Sequence, residues 1–168
     1  MVKILLIEDN LEMRVNIAEI LELSDYEVMT ARHGKEGIEL AKAHTPDLII
    51  CDIMMPELDG YGVLKVLSRL PETSAIPFIF LTAKSEKVDF RKGMNLGADD
   101  YLTKPFEEID LIDAVELRLK KSRAWQKQDG KNAKSLDSFI EGVSNMHSLE
   151  ELAYKQDSMP FKKKGVVF

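Results

Sequence analysis

The chain has 168 residues, 45% hydrophobic and 31% charged, with a net charge of −6, which suits one globular domain plus an extension. No apolar run reaches the roughly 20 residues of a membrane helix, and Glu8 and Asp9 occupy the place of a secretory cleavage site. The single cysteine, Cys51, excludes an internal disulfide and a zinc site of paired cysteines, so a cytoplasmic location without membrane contact is expected.

Short apolar runs alternate with helix-period segments over the first 121 residues. "KILLI" (3–7) is predicted as a strand, followed by a helix over 11–23 with Met13, Ile17, Ile20 and Leu21 on one face. "YEVMTA" (26–31) and a helix over 35–44 come next. The third strand, "DLIICD" (47–52), ends on a carboxylate, Asp52. The chain then turns through Pro56 into a helix over 60–69, with Asp59-Gly60 supplying turn and cap. "PFIFLT" (77–82) ends on Thr82 and precedes a helix over 86–96. "DYLTK" (100–104) ends on Lys104 before Pro105, and the last helix, 107–121, places Ile109, Ile112, Val115 and Leu119 on one face.

Four of these strands are rich in Ile, Leu, Val and Phe, as strands covered on both faces are. Strand–helix alternation implies right-handed crossovers and a parallel sheet with helices on both faces. The fold class is therefore doubly wound α/β, and residues 1–121 form its domain.

Beyond that point the apolar period fades. Residues 122–135 read as an extended helix and solvated linker, and 136–168 as a short, mainly helical extension. Ser138 with Glu141, and Ser148 with Glu151, fit Ser-x-x-Glu capping boxes, and "FKKKGVVF" opens like a strand. The tail is too short for a core of its own and is expected to be the truncated start of an output domain. Charge is uneven: residues 1–121 carry 23 acids and 15 bases, and 122–168 carry 6 acids and 8 bases. Neither part has the clustered cations of a nucleic-acid footprint, so no nucleic-acid contact is expected from this chain.

In a doubly wound sheet, ligands bind beyond the carboxyl ends of the strands. There the sequence places Glu8, Asp9, Asp52, Thr82 and Lys104. Three converging carboxylates raise one another's pKa unless a cation joins them, and Mg²⁺ suits a few carboxylates plus waters and substrate oxygens. Lys104 adds a fixed positive charge and Thr82 a donor hydroxyl, the set that stabilises a phosphoryl group in transfer. Asp52 is the natural nucleophile, forming an aspartyl phosphate.

Each residue also has a plainer reading. Asp9 or Asn10 could simply cap the helix from Leu11, and Cys51 reads as buried packing. His33, His44 and His147 lack ligand spacing. "GMNLG" does not follow a strand directly, and "DGKNAKS" lacks the first glycine of a phosphate-binding loop. A dehalogenase-type phosphatase would want an acid two residues after the nucleophile, where Met54 stands. A phosphoester hydrolase is accordingly the weaker rival.

The motifs "IEDN", "DIMMPELDGYG", "LTA" and "KPF", in this order and spacing, closely resemble the bacterial response-regulator receiver domain over residues 1–121. The resemblance implies a flavodoxin-like sheet of order 2-1-3-4-5. It also implies a phosphoacceptor of two-component signalling rather than a metabolic enzyme. Asp52 would take phosphate from a partner histidine kinase, and Glu8, Asp9, Asp52 and the Met54 carbonyl would surround Mg²⁺. Thr82 and Lys104 would bind phosphoryl oxygens, Thr82 and Tyr101 would form the switch pair, and Lys104–Pro105 would be cis. Output would pass through residues 86–121, to transcription or, in a stand-alone receiver, to protein contacts or a phosphorelay. A homodimer through that face is one expectation. The ion-pair pattern of receivers attached to winged-helix DNA binders is incomplete, however: Leu96 and Ala114 replace one Asp–Arg pair, whereas Asp100 and Asp110 remain. "MPFKKKGVVF" is similar to the lead-in of cyclic-nucleotide-binding β-rolls in the catabolite-activator class, which would imply a sensor domain and a DNA contact further along.

Overall fold

The computed structural model describes residues 1–83, 89–128, 138, 140 and 141. The chain divides into two units, Met1–Arg123 and Ala124–Phe168. In the first, β1 (Lys3–Ile7), α1 (Leu11–Leu23), β2 (Glu27–Ala31), α2 (Gly34–His44), β3 (Leu48–Asp52), α3 (Gly60–Leu67), β4 (Phe78–Ala83), α4 (Phe90–Leu96) and β5 (Asp100–Lys104) follow in order. A helix from 108, here α5, follows, and residues 121–123 are still helical. In the second unit, Ser138, Ile140 and Glu141 are also helical. The capping box at Ser148 and the strand signal at 161–168 lie outside the described residues.

All strand pairs are parallel and the sheet order is β2-β1-β3-β4-β5. Because side chains alternate along a strand, each strand feeds two cores. Leu5, Ile7, Ile49, Cys51, Phe78 and Phe80 face Ala41 of α2 and Val63, Leu64 and Leu67 of α3. Ile4, Leu6, Leu48, Ile50, Ile79 and Leu81 face Ile17 and Leu21 of α1 and Leu111, Val115 and Leu119 of α5. Both faces of β1, β3 and β4 are thus dry, and each fully buried Ile, Leu or Phe contributes about 1.5–3 kcal/mol.

Two helix faces differ from the periodicity reading. On α5, Ile109 is exposed and Leu111 is fully buried, so the inward stripe runs Leu111, Val115, Leu119. Ile109 stands in the first turn, before the helix settles against the sheet. On α1, Arg14 is buried beside Ile17 and Leu21. Its guanidinium donates to the carbonyls of Glu8 at 2.8 Å and Asp9 at 3.4 Å, which is how a cation is accommodated there.

Candidate functional site

The loops after β1, β3 and β5 meet at one end of the sheet. Asn10 caps α1, its side chain accepting from the Met13 amide at 2.9 Å, which leaves Glu8 and Asp9 uncommitted to capping. The Asn10 amide donates in turn to Glu8 Oε1 at 3.1 Å. After β3 the chain turns tightly: the Leu58 amide reaches the Pro56 carbonyl at 2.8 Å across Glu57, whose φ is 67°. That left-handed geometry costs a non-glycine residue about 1–2 kcal/mol. The turn brings Gly60 back onto β3, its amide donating to the Ile53 carbonyl at 2.8 Å. A Cβ on Gly60 would lie 2.5 Å from the Asp52 carbonyl oxygen, so only glycine permits this approach. Asp59 caps α3 by accepting from the Gly62 amide at 2.8 Å. Lys104–Pro105 is cis.

One carboxylate oxygen from each of Glu8, Asp9 and Asp52 lies within 4.8 Å of the others. Glu8 and Asp52 are buried and Asp9 is exposed. Lys104 Nζ reaches across β4 to Glu8 Oε2 at 3.0 Å and Asp52 Oδ1 at 3.3 Å. The Lys104 ammonium, at that ion-pair distance, is the polar partner of buried Asp52 Oδ1. Burial, reinforced by the Glu8 charge and only partly offset by Lys104, pushes the Asp52 carboxyl up to about 7. Burial also raises Glu8. Burial alone would depress the Lys104 ammonium, but Asp52 and Glu8 beside it outweigh that and raise it. Three hard oxygen donors gathered this closely suit a hard divalent cation, so the cluster could hold a metal.

Thr82 is buried near the end of β4, one position beyond the residue paired with Asp52. Met54 lies in the loop after β3 with its side chain exposed. Tyr101 is half-buried on β5, its ring 5.3 Å from Phe80 and 4.5 Å from Phe90 between centroids. Burial and the neighbouring Tyr61 hydroxyl push its phenol up to about 12. The sequence reading missed Arg14, which ties the Glu8 and Asp9 carbonyls to α1. Its one visible signal was a basic residue within an otherwise apolar helix face.

Comparison with known proteins decides the family. Residues 4–116 match the response regulator receiver domain. The chain belongs to that family. It is 40% identical over 120 residues to the alkaline phosphatase synthesis transcriptional regulatory protein PhoP of Bacillus subtilis, covering 71% of this chain and 49% of that one. It is 36% identical over 115 residues to the protein PilH of Pseudomonas aeruginosa, covering 68% of this chain and 95% of that one. The chemotaxis protein CheY4 of Vibrio cholerae shares the fold with a TM-score of 0.67 at 28% identity, over 70% of this chain and 98% of that one. The chain spans about half the length of several curated relatives it matches, PhoP among them. A receiver domain of two-component signalling, with its flavodoxin-like sheet, is thus established. Among the described residues no helix is long and apolar enough to cross a membrane.

Proposed function

We propose that this receiver accepts a phosphoryl group on Asp52 from a partner histidine kinase, with Mg²⁺ held by Glu8, Asp9, Asp52 and the Met54 carbonyl. The observation that carries the reading is the buried Asp52 carboxylate gathered with two further carboxylates beside one ammonium. When bound, the ion supplies positive charge for the carboxylates and the phosphoryl oxygens.

The chain's own residues do the rest. A carboxylate oxygen of Asp52 attacks phosphorus, and the bond from phosphorus to the donor's imidazole nitrogen breaks. The bond's electron pair stays on that nitrogen, and because the ring's other nitrogen carries a proton the leaving group is neutral histidine. Lys104, charged throughout the physiological range, is positioned to pair with a phosphoryl oxygen in place of one of its carboxylates. Thr82 supplies a hydroxyl donor at the end of β4. A cleft of about 400 Å³ lined by Asn10, Glu12, Met13, Asn16 and Lys104 opens beside the site, on the side a donor would approach. Exposed Leu11 and Val15, one turn apart on α1, offer apolar contact beside it.

Phosphorylation adds close to two negative charges, and the response runs through Thr82 and Tyr101 to the face of α4, β5 and α5. Relatives that are named transcriptional regulators support transcription as the output of a longer protein. PilH, nearly all of whose length is matched, supports action through protein contacts as the alternative.

The test is intact-mass measurement after incubation with acetyl phosphate and Mg²⁺. The wild-type chain gains one phosphoryl group and Asp52→Asn gains none. A labelled Asn variant would move the acceptor elsewhere.

A further inference from the structure

Two tyrosines from different elements converge on the start of α4. Tyr61, buried on α3, donates its hydroxyl to the Asp89 carbonyl at 3.2 Å. Tyr101, on β5, donates to the next carbonyl, Phe90, at 3.3 Å. Both rings rest on Phe80, with centroids 5.2 and 5.3 Å away. Lys92 Nζ lies 4.9 Å from the centre of the Tyr61 ring, so α4 also contributes a cation to that ring. Asp89 itself caps α4, accepting from the Lys92 amide at 3.0 Å through its side chain and from the Gly93 amide at 3.2 Å through its carbonyl.

Gly93 makes this arrangement fit. A Cβ built there would overlap the Tyr101 hydroxyl oxygen and come within 2.9 Å of Tyr101 Cζ and 3.1 Å of Phe80 Cε2. Gly93 lies within a helix, where alanine would ordinarily be the better residue. Here the missing side chain is the seat of the Tyr101 hydroxyl.

We propose that Tyr61 and Tyr101 form a two-point latch on α4 seated over Gly93, making Tyr61 and Gly93 positioning residues of the switch. The proposal rests on the phosphorylation reading for its trigger, but not for its geometry. With both hydroxyls on adjacent carbonyls, α4 cannot shift relative to β5 without also changing its hold on α3. Movement of Tyr101 is thereby transmitted to the groove of about 590 Å³ that Tyr61, Lys65, Asp89 and Lys92 help to line. Neither Tyr61 nor Gly93 contacts the acidic cluster, so transfer to Asp52 proceeds in both variants.

The experiment combines melting curves with amide hydrogen exchange. Gly93→Ala lowers Tm when Tyr101 is present and raises it in a Tyr101→Ala background. The same sign in both backgrounds would overturn the seat. In unphosphorylated Tyr61→Phe, exchange at Lys92 and Gly93 is roughly fivefold faster, the factor equivalent to a net hydrogen bond of about 1 kcal/mol; unchanged exchange would overturn the latch. After labelling with acetyl phosphate, confirmed by intact mass, the exchange change across α4 seen in wild type is lost in Gly93→Ala. An undiminished response in the labelled variant would overturn its part in the switch. A wild-type chain that takes no phosphate would instead strike the phosphorylation reading, leaving the melting and exchange comparisons to judge the latch.

Discussion

Arg118 and Asp100 tie α5 to the edge strand β5: the guanidinium Nε and Nη2 donate to one carboxylate oxygen at 3.2 and 3.0 Å. Asp100 is one of the acids that a receiver dimer face could offer to a second copy. Here one of its oxygens is already engaged within the chain, so a partner cation at that oxygen has to displace Arg118 or share it.

Arg118→Ala is expected to cost about 1 kcal/mol, at the upper end for a pair that keeps some solvent contact. Urea denaturation would read this as a lower midpoint with an unchanged slope. An unchanged midpoint would mean that the pair contributes nothing to holding α5.

The acidic cluster makes stability depend on pH. The Asp52 carboxyl is raised from the ordinary 3.8 to about 7 by burial and by Glu8. The unfolded chain therefore releases this proton at lower pH than the folded one. The stabilisation is fully present below about 4 and is lost as pH rises through about 7. Raised Glu8 acts in the same direction, whereas Lys104 keeps its proton in both states over this window. In chelator, the urea midpoint of the wild-type chain should fall between pH 5 and pH 8 by more than that of Asp52→Asn. Mg²⁺ should restore more stability at pH 8 than at pH 5, because below about 7 it competes with a proton. Parallel pH profiles for the two proteins would contradict the raised carboxyl.

Lys104 holds two buried carboxylates at once. Lys104→Met leaves Glu8 and Asp52 facing each other without a counter-charge, which should cost about 3 kcal/mol in chelator, the low end for a buried pair. The same variant should bind divalent ions more tightly by calorimetry, since the ammonium no longer competes for those oxygens. A weaker affinity would show that Lys104 organises the cluster rather than opposing the metal in it.

Much of the molecule was legible in the chain because its strands are short apolar runs with chemistry at their ends. β1, α1 and β5 have the bounds that periodicity gives, β2 and β3 start one residue later, and β4 is shifted by one residue at both ends. The gathering of Glu8, Asp9, Asp52 and Lys104 was legible too, since parallel strands deliver their carboxyl ends to one side. What remained hidden depends on three-dimensional partners. Arg14 reads as a surface cation until the Glu8 and Asp9 carbonyls are seen to receive it. Glu57 takes a left-handed conformation with no glycine to announce it, held by the closure of Gly60 onto Ile53. α4 was read from 86 and is described from Phe90, because Asp89 is its cap; residues 84–88 lie outside the described set. Gly93 was seen only as part of a motif that failed, and its use becomes visible only with the Tyr101 ring in place.

The lone thiol carries a practical consequence. Cys51 has no exposed surface, and β3, which bears it, is hydrogen-bonded to β1 on one side and β4 on the other. Burial first, then the nearby carboxylates of Asp52, Glu8 and Asp59, lift its pKa well above the ordinary range, so the reactive thiolate is scarce while the strand stays in place. A thiol reagent can therefore react only when the middle of the sheet comes apart, and its rate of incorporation becomes a clock for that event.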